Sequence, residues 1–196
     1  MARSLVAGCL ILALALSVLP ACSREPNPDW SAPENFFAVE KSEEIPGGAR
    51  LEFHSLVDAP APQVYRTLAD VEDYSRFIDG VSESALLSKD NDTKVIRIAQ
   101  TVIGRQNRAE VKWTFHPERM AIEFETLKSD GNYNDGTYRV IGSPDGKRTY
   151  IISVYRVMEK GAPQNVPIGV LKGATREAFA KAARSVKQAA LAMQGH

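Results

Sequence analysis

Few residues of the chain have the type and spacing that a catalytic or metal site requires. The histidines are His54, His116 and His196, and neither a His-Glu-x-x-His sequence nor a cysteine pair accompanies them. Zinc sites need such clustered nitrogen and sulfur ligands, so the sequence predicts no metal site. A serine nucleophile at a strand-to-helix elbow needs the pattern Gly-x-Ser-x-Gly, and residues 80–84, Gly-Val-Ser-Glu-Ser, depart from it at the last position. We therefore identify no catalytic residue.

A glycine-containing turn at residues 142–148 resembles a phosphate-binding loop only in part. Three residues separate its glycines where that loop has four, and Arg148 stands where a serine or threonine must reach the metal. The segment is therefore predicted to be a hairpin turn, and no cofactor is implied.

Charged residues alternate with apolar ones along two predicted strands. This pattern predicts a solvated sheet face with cross-strand ion pairs. In the opposite register the same charges would line the interior, where burial shifts pKa values and permits acid–base work. That register would expose Trp113, Phe115 and Phe124 together, so it is disfavoured. The charged residues are Arg108, Glu110, Lys112, Glu123 and Glu125.

The composition fits one globular domain with appendages. The 196 residues include 24 Lys and Arg against 24 Asp and Glu, so the formal net charge is zero. Proteins that bind nucleic acid carry a basic excess or a basic stripe, and we therefore expect no nucleic-acid partner. The two cysteines are Cys9 and Cys22, which excludes a disulfide framework in the rest of the chain.

The first residues have the pattern of an export signal. An uncharged apolar run at residues 5–19 is shorter than the roughly 20 residues of a membrane-spanning helix. It ends at residues 19–22, Leu-Pro-Ala-Cys, which resemble the lipobox of bacterial lipoproteins. This resemblance implies that residues 1–21 are a signal peptide and that Cys22 carries the lipid; the alternative is an ordinary secretory signal cut nearby. Ser23 after the cysteine implies the outer membrane, so we expect a domain anchored in the bacterial cell envelope and facing the periplasm.

The rest of the chain divides into a tether and one domain. Residues 22–47 are polar and broken by prolines, with a possible extra strand from Phe36 to Ile45, and residues 48–196 form the domain. The domain begins with a strand ending at Val57 and continues with two short helices. Six runs rich in β-branched and aromatic residues follow, and their turn-forming separators predict an antiparallel meander. These runs are Val81–Ser88, Lys94–Ile103, Ala109–His116, Met120–Leu127, Gly136–Ile141 and Thr149–Val157.

The last segment, residues 167–193, predicts a long helix with a thin apolar face. Its periodic positions are mostly alanine, with Phe179 the large exception, whereas the sheet offers bulky aromatic residues. These positions are Leu171, Ala174, Ala178, Ala182, Val186, Ala189 and Met193. Because helix and sheet must bury these faces against each other, the mismatch in size predicts a cavity between them. The alternative is that the aromatic side chains fill this space as core. We further hypothesise that residues 129–136 and the helix start at Gly169 and Gly173 form a gate to the cavity.

Three segments early in the domain carry a family resemblance. They are residues 57–65, Val-Asp-Ala-Pro-Ala-Pro-Gln-Val-Tyr, residues 68–74, Leu-Ala-Asp-Val-Glu-Asp-Tyr, and residues 77–81, Phe-Ile-Asp-Gly-Val. In these segments and in its strand order the chain resembles the START-like helix-grip superfamily (SRPBCC), in particular its coenzyme Q-binding and polyketide cyclase-like branch. The resemblance implies an α+β helix-grip fold. In this fold a curved antiparallel β-sheet, with two short helices after the first strand, wraps around a long C-terminal helix.

The resemblance also implies a function. We expect a membrane-anchored protein that binds a lipid, a sterol-like or a quinone-like molecule without a cofactor, as a carrier or a sensor rather than as an enzyme. One alternative is a cyclase or aromatase acting on a polyketide-like substrate, for which Tyr138, Glu123 and Arg139 are the acid–base candidates. Another is an envelope interaction module whose cavity is filled by its own side chains. The predicted ligand contacts are Trp113, Phe115, Ile122, Phe124, Tyr138 and Phe179.

Overall fold

The computed structural model describes residues 26–102, 105–158 and 168–193. Cys22 and the predicted signal peptide lie outside the described residues. Within them, eight strands and three α-helices follow one another in the predicted order. Their bounds are β1 Asn35–Ile45, β2 Gly48–Val57, α1 Ala61–Ala69, α2 Tyr74–Phe77, β3 Val81–Asp90, β4 Thr93–Val102, β5 Arg105–His116, β6 Ala121–Ser129, β7 Tyr133–Gly142, β8 Thr149–Met158 and α3 Ile168–Ala192.

All eight strands form one curved antiparallel sheet in the order β1-β2-β8-β7-β6-β5-β4-β3. The six consecutive strands β3 to β8 make the predicted meander, because each pairs with the next through a short turn. β2 pairs with β8 and so joins the strand before the helices to the end of the meander. The helix-grip α+β fold is thereby confirmed.

The helices lie on the inner face of this sheet. Pro60 precedes α1 and Pro62 lies in its first turn, where a missing N–H leaves no helical hydrogen bond unmade. A 3₁₀ turn, Val71–Asp73, leads into α2, and the Tyr74 hydroxyl donates to the Leu68 carbonyl at 2.6 Å, which ties the two short helices together. No helix in the described part of the chain is long and apolar enough to span a membrane.

The buried stripe of α3 differs from the predicted one. Of the predicted positions, Val186 is buried, but Met193 is 41% exposed. Phe179, the predicted large exception of this face, inserts into the core and stacks on Phe53, with 4.7 Å between ring centroids. Among the α3 side chains that the structure describes, the buried ones are Phe179, Ala183, Ser185, Val186 and Ala190. The buried face of α3 is thus centred closer to Phe179 than the periodic pattern predicts. The alanines of that pattern lie beside this buried face.

The outer face of β2 and β8 carries a polar network at a buried histidine. The Nε2 atom of His54 lies 2.8 Å from the Glu52 carboxylate, and its Nδ1 atom lies 2.8 Å from the Tyr150 hydroxyl. Lys41 Nζ donates to the same carboxylate at 2.8 Å. The hydrogen bonds from Lys41 and His54 lower the pKa of Glu52 from 4.5 to about 2. This network fastens β1 to the rest of the sheet.

Candidate ligand-binding cavity

A cavity of about 870 Å³ lies between the inner face of the sheet and α3. This volume is within the range of about 300–1,000 Å³ that is typical of small-molecule sites. Apolar residues from β3, β4, β5, β8, α1 and α3 form much of its wall, and the alanines Ala174, Ala178 and Ala182 line the helix side. The apolar members from the sheet and short helices include Leu68, Ile78, Val81, Ile98, Val111 and Val157.

Aromatic rings form a continuous part of the wall. Trp113 and Phe124 lie 5.2 Å apart between ring centroids, and Phe124 and Tyr138 lie 5.3 Å apart. Tyr155 continues the row toward Phe179, at 6.2 Å. These separations are those of favourable aromatic pairs. The row therefore offers a ligand a flat and largely rigid apolar surface.

Two tyrosine hydroxyls face each other within this aromatic wall. The hydroxyl oxygens of Tyr138 and Tyr155 lie 3.2 Å apart, so one donates to the other. Burial raises the pKa of Tyr138 and raises that of Tyr155 well above its ordinary value. Both groups are therefore neutral hydroxyls at any physiological pH, and they give the wall polarity without charge.

Gly136 allows the aromatic wall to form. It pairs with Phe124 across β6 and β7. A Cβ atom at this position would lie 2.6 Å from the Phe124 ring and 2.1 Å from the Val154 carbonyl oxygen. Only glycine permits this approach, and a glycine inside a strand is the sequence signal for it.

The cavity has one polar end, which we define as Gln100, Gln106, Asn107, Asp130, Asn132, Asn134 and Thr175. Past the paired residues Phe124 and Gly136, hydrogen bonds between backbone N–H groups and side-chain oxygens hold β6 and β7 together at this end. The Thr126 N–H donates to the Asp135 carboxylate at 3.2 Å, and the Asn134 N–H donates to the Thr126 hydroxyl oxygen at 3.1 Å. The loop between these strands comprises only residues 130–132, because β7 already begins at Tyr133.

The structure separates the predicted ligand contacts into two groups. Trp113, Phe124, Tyr138 and Phe179 line the cavity. Ile122 is fully buried in the core, and Phe115 packs beside that core with Lys94 Nζ 5.5 Å from its ring centroid. Neither lines the cavity, although ligand contact itself stays a prediction at all six positions. Tyr155 and the amides of the polar end are not among the predicted contacts, although the alternation of Ser153, Tyr155 and Val157 in β8 is a sequence signal for Tyr155.

The three acid–base candidates lie on two different faces of the sheet. Tyr138 lines the cavity. Glu123 lies on the outer face, is 54% exposed in its side chain and pairs with Arg119 at 3.3 Å. Arg139 follows Tyr138 in β7, and strand alternation directs it to the same outer face. A 2.8 Å ion pair between Lys112 and Glu125 shows that this face carries the predicted cross-strand pairs.

Both segments of the hypothesised gate reach the cavity. Asp130, Gly131 and Asn132 line it from the β6–β7 loop, and Ala174 and Thr175 line it from α3. The space where a Cβ atom would be added at Gly169 or Gly173 is open. Opening of this gate stays a prediction, and part of the segment leading into α3 lies outside the described residues.

Comparison with known proteins gives one family. The family model described as polyketide cyclase / dehydrase and lipid transport matches residues 57–184. No curated protein sequence matches the chain.

Solved structures have the same fold at low sequence identity. The Zhui aromatase/cyclase from Streptomyces sp. R1128 is 20% identical, with 72% of this chain and 92% of that chain covered and a TM-score of 0.66. A START superfamily protein from Mycobacterium smegmatis is 15% identical, with coverage of 74% and 98% and a TM-score of 0.62. A STAR-related lipid transfer protein from Xanthomonas axonopodis is 13% identical, with coverage of 76% and 90% and a TM-score of 0.60.

Proposed function

The chain belongs to the polyketide cyclase / dehydrase and lipid transport family, and from this premise we propose that it is a membrane-anchored protein that binds a hydrophobic ligand. The ligand, a lipid or a sterol-like or quinone-like molecule, occupies the cavity between the sheet and α3, and the protein acts as a carrier or a sensor. The observation that carries this proposal is the 870 Å³ space between an aromatic sheet wall and the alanines of α3.

The chemistry of the wall supports binding over catalysis. Among the described lining residues, the ionisable side chains are Tyr74, Tyr138, Tyr155 and Asp130. Burial raises the pKa of all three tyrosines. The Asp130 carboxylate already accepts a hydrogen bond from the backbone N–H of Arg108 at 2.7 Å. Enclosing apolar ligand surface stabilises the complex by about 25 cal/mol per Å². This stabilisation offsets the loss of bilayer contacts, so exchange between protein and membrane can be reversible.

The start of the described chain supports a short connection to the membrane. The Arg148 guanidinium donates to the carbonyl oxygens of Trp30 and Ala32, and Glu34 pairs with Lys187 at 2.7 Å. The segment from Trp30 onward is therefore fastened to the domain. If Cys22 carries the lipid, the residues between it and Trp30 can span roughly 25 Å at about 3.3 Å per residue.

The fastened segment and the polar end of the cavity lie at opposite ends of the sheet. Arg148 directly precedes Thr149, which pairs with Gly142, whereas Asn134 pairs with Val157. Along β7, Asn134 and Gly142 are about 26 Å apart at roughly 3.3 Å per residue. A domain held by Cys22 can therefore present its polar end away from its own membrane, while a tether about as long as this separation also lets that end approach the membrane. We propose on this basis that it presents its ligand to a partner from the periplasmic side of the outer membrane.

Native mass spectrometry of the full chain, purified from the envelope of its own host, tests the proposal. We expect a lipid-modified chain that begins at Cys22 and carries one defined hydrophobic molecule. The Cys22→Ser variant should move from the membrane to the soluble fraction. An empty protein that also takes up no neutral dye such as Nile red would contradict ligand binding and favour the interaction module. Chemical conversion of a bound polyketide-like molecule would favour the cyclase.

A further inference from the structure

We propose that the polar end of the cavity selects an uncharged, oxygen-bearing head group and discriminates against anionic ones. This inference rests on the proposed binding function and specifies the class of ligand. The ligand would be an amphiphile whose apolar part contacts the aromatic wall and whose hydroxyl, ester or carbonyl oxygens meet the polar end.

The inner face of the sheet changes from apolar to polar in the same direction on neighbouring strands. On β4 the inward-facing residues Ile96 and Ile98 are followed by Gln100. Gln100 pairs across the strands with Asn107 on β5, whose inward-facing neighbours toward the apolar end are Ala109 and Val111. The two antiparallel strands therefore become polar at the same edge of the cavity.

The next two strands continue this edge. On β6 the cavity-lining Phe124 is followed by Thr126, and on β7 Tyr138 is preceded by Asn134 at the same end. The Ser129 hydroxyl donates to the Asn107 side-chain oxygen at 3.3 Å, which joins β5 to the loop that carries Asp130 and Asn132. Four strands and one loop thus place carboxamides and hydroxyls around one end of an apolar space. An apolar cavity with polar groups gathered at one end is suited to an amphiphile.

These side chains can hydrogen-bond but carry no positive charge. Carboxamides offer both donors and acceptors, and the Asn134 side-chain oxygen is buried without a hydrogen-bond partner among the described residues. The described side chains that line the cavity include no lysine, arginine or histidine, and Asp130 adds one negative charge. The start of α3 at Ile168 lies about 9 Å along the helix axis from Ala174, so its positive end is displaced from this edge.

An anionic head group that loses water here would gain no cation from the described side chains that line the cavity. A phosphate or carboxylate would also lie near the Asp130 carboxylate, which repels it. A glycerol or sugar hydroxyl, an ester or a carbonyl loses less on leaving water and finds donors and acceptors in the amides. We therefore expect selection to follow from the higher cost of removing a charged head group from water and from the hydrogen bonds that an uncharged one gains.

Competition between two matched probes tests the inference. Decanoate and 1-decanoylglycerol have the same acyl chain and differ in head-group charge, and each can displace Nile red from the full-length protein. We expect 1-decanoylglycerol to bind at least about tenfold tighter than decanoate. The Asp130→Asn variant, which keeps an oxygen for the Arg108 N–H, should strengthen decanoate binding about three- to tenfold and leave 1-decanoylglycerol unchanged. The Glu125→Gln variant on the outer face is the matched control and should change neither.

The outcomes separate the inference from the proposed function. If Nile red binds but decanoate competes as well as 1-decanoylglycerol, the head-group inference is wrong and hydrophobic binding stands. If no probe and no dye enters the cavity, both fail. Should Asp130→Asn not fold, Asn132→Lys provides the reverse test. It adds a cation at the same end and should favour decanoate, and an unchanged preference would overturn the inference.

Discussion

Filling the cavity from the helix side should weaken ligand binding strongly without unfolding the protein. Ala178 and Ala182 line the cavity from α3, opposite the aromatic wall. Ala182 is half-buried, so a phenylalanine there would project into space that is now empty, whereas Ala178 is more exposed and a phenylalanine there would narrow the cavity from its solvent-facing side. Because the cavity is about 870 Å³, the new ring can be accommodated without displacing the core.

The expected loss of affinity follows from buried area. An aromatic side chain buries about 150–250 Å². If roughly 100 Å² of this replaces contact with the ligand, the loss at about 25 cal/mol per Å² is about 2.5 kcal/mol. That free energy corresponds to about a 70-fold increase in Kd. The free energy of unfolding should change by less than about 1 kcal/mol, since the helix propensity of phenylalanine costs about 0.5 kcal/mol and new burial offsets it.

The assay is Nile red binding by the Ala178→Phe and Ala182→Phe variants, combined with urea denaturation of the unliganded proteins. Ala192→Phe is the matched control, because Ala192 is exposed at the end of α3 and does not line the cavity. It should bind like the unmodified chain. Folded Ala178→Phe and Ala182→Phe proteins that bind dye and lipid with unchanged Kd would refute the assignment of this cavity as the ligand site.

Two further predictions concern glycine substitutions in β7 and α3 and the carboxylate of Glu52. Gly136→Ala should lower the free energy of unfolding by about 3 kcal/mol or more, because its Cβ atom would lie 2.1 Å from a carbonyl oxygen. Gly169→Ala, where the added atom meets open space, should instead stabilise α3 by up to about 1 kcal/mol, and urea denaturation compares the two. The lowered pKa of Glu52 contributes stability that is present above pH 4.5 and is lost as the pH falls toward about 2. Glu52→Gln should therefore flatten the pH dependence of unfolding in this window; an equal flattening by the exposed Glu44→Gln would contradict the assignment to Glu52.

Local sequence patterns were sufficient for the fold because they determine strands and turns one at a time. The six runs of the meander are each found as a strand, with ends that differ by a few residues. The largest difference is at β5, which begins at Arg105 rather than at Ala109, and the next is at β7, which begins at Tyr133 rather than at Gly136. At this start of β7 the Thr126 N–H donates to the Asp135 carboxylate and so links the two strands. A composition rich in Asn, Asp and Gly predicts a loop whether or not such hydrogen bonds form.

Alternation along a strand predicts which face a residue occupies but not its depth in the fold. Trp113 pairs with Phe124, and both line the cavity. Phe115 pairs with Ile122 one step further along the same inner face, and neither lines it. The floor of the cavity therefore falls between these two pairs. Its position depends on how the short helices fill the end of the sheet, which is a tertiary contact that strand periodicity does not contain.

The helix side shows why the cavity itself was predictable. Periodicity identifies the apolar face of α3, and the members of that face at Ala174, Ala178 and Ala182 are too small to reach the aromatic wall. Phe179, one position away from this series, packs against Phe53 and holds the helix at a distance set by a large ring. A helix held at that distance by one phenylalanine cannot close the space in front of its alanines. The unequal side-chain sizes of neighbouring residues on one helix thus create the cavity. Side-chain size can be read from the sequence directly, whereas tertiary contacts cannot.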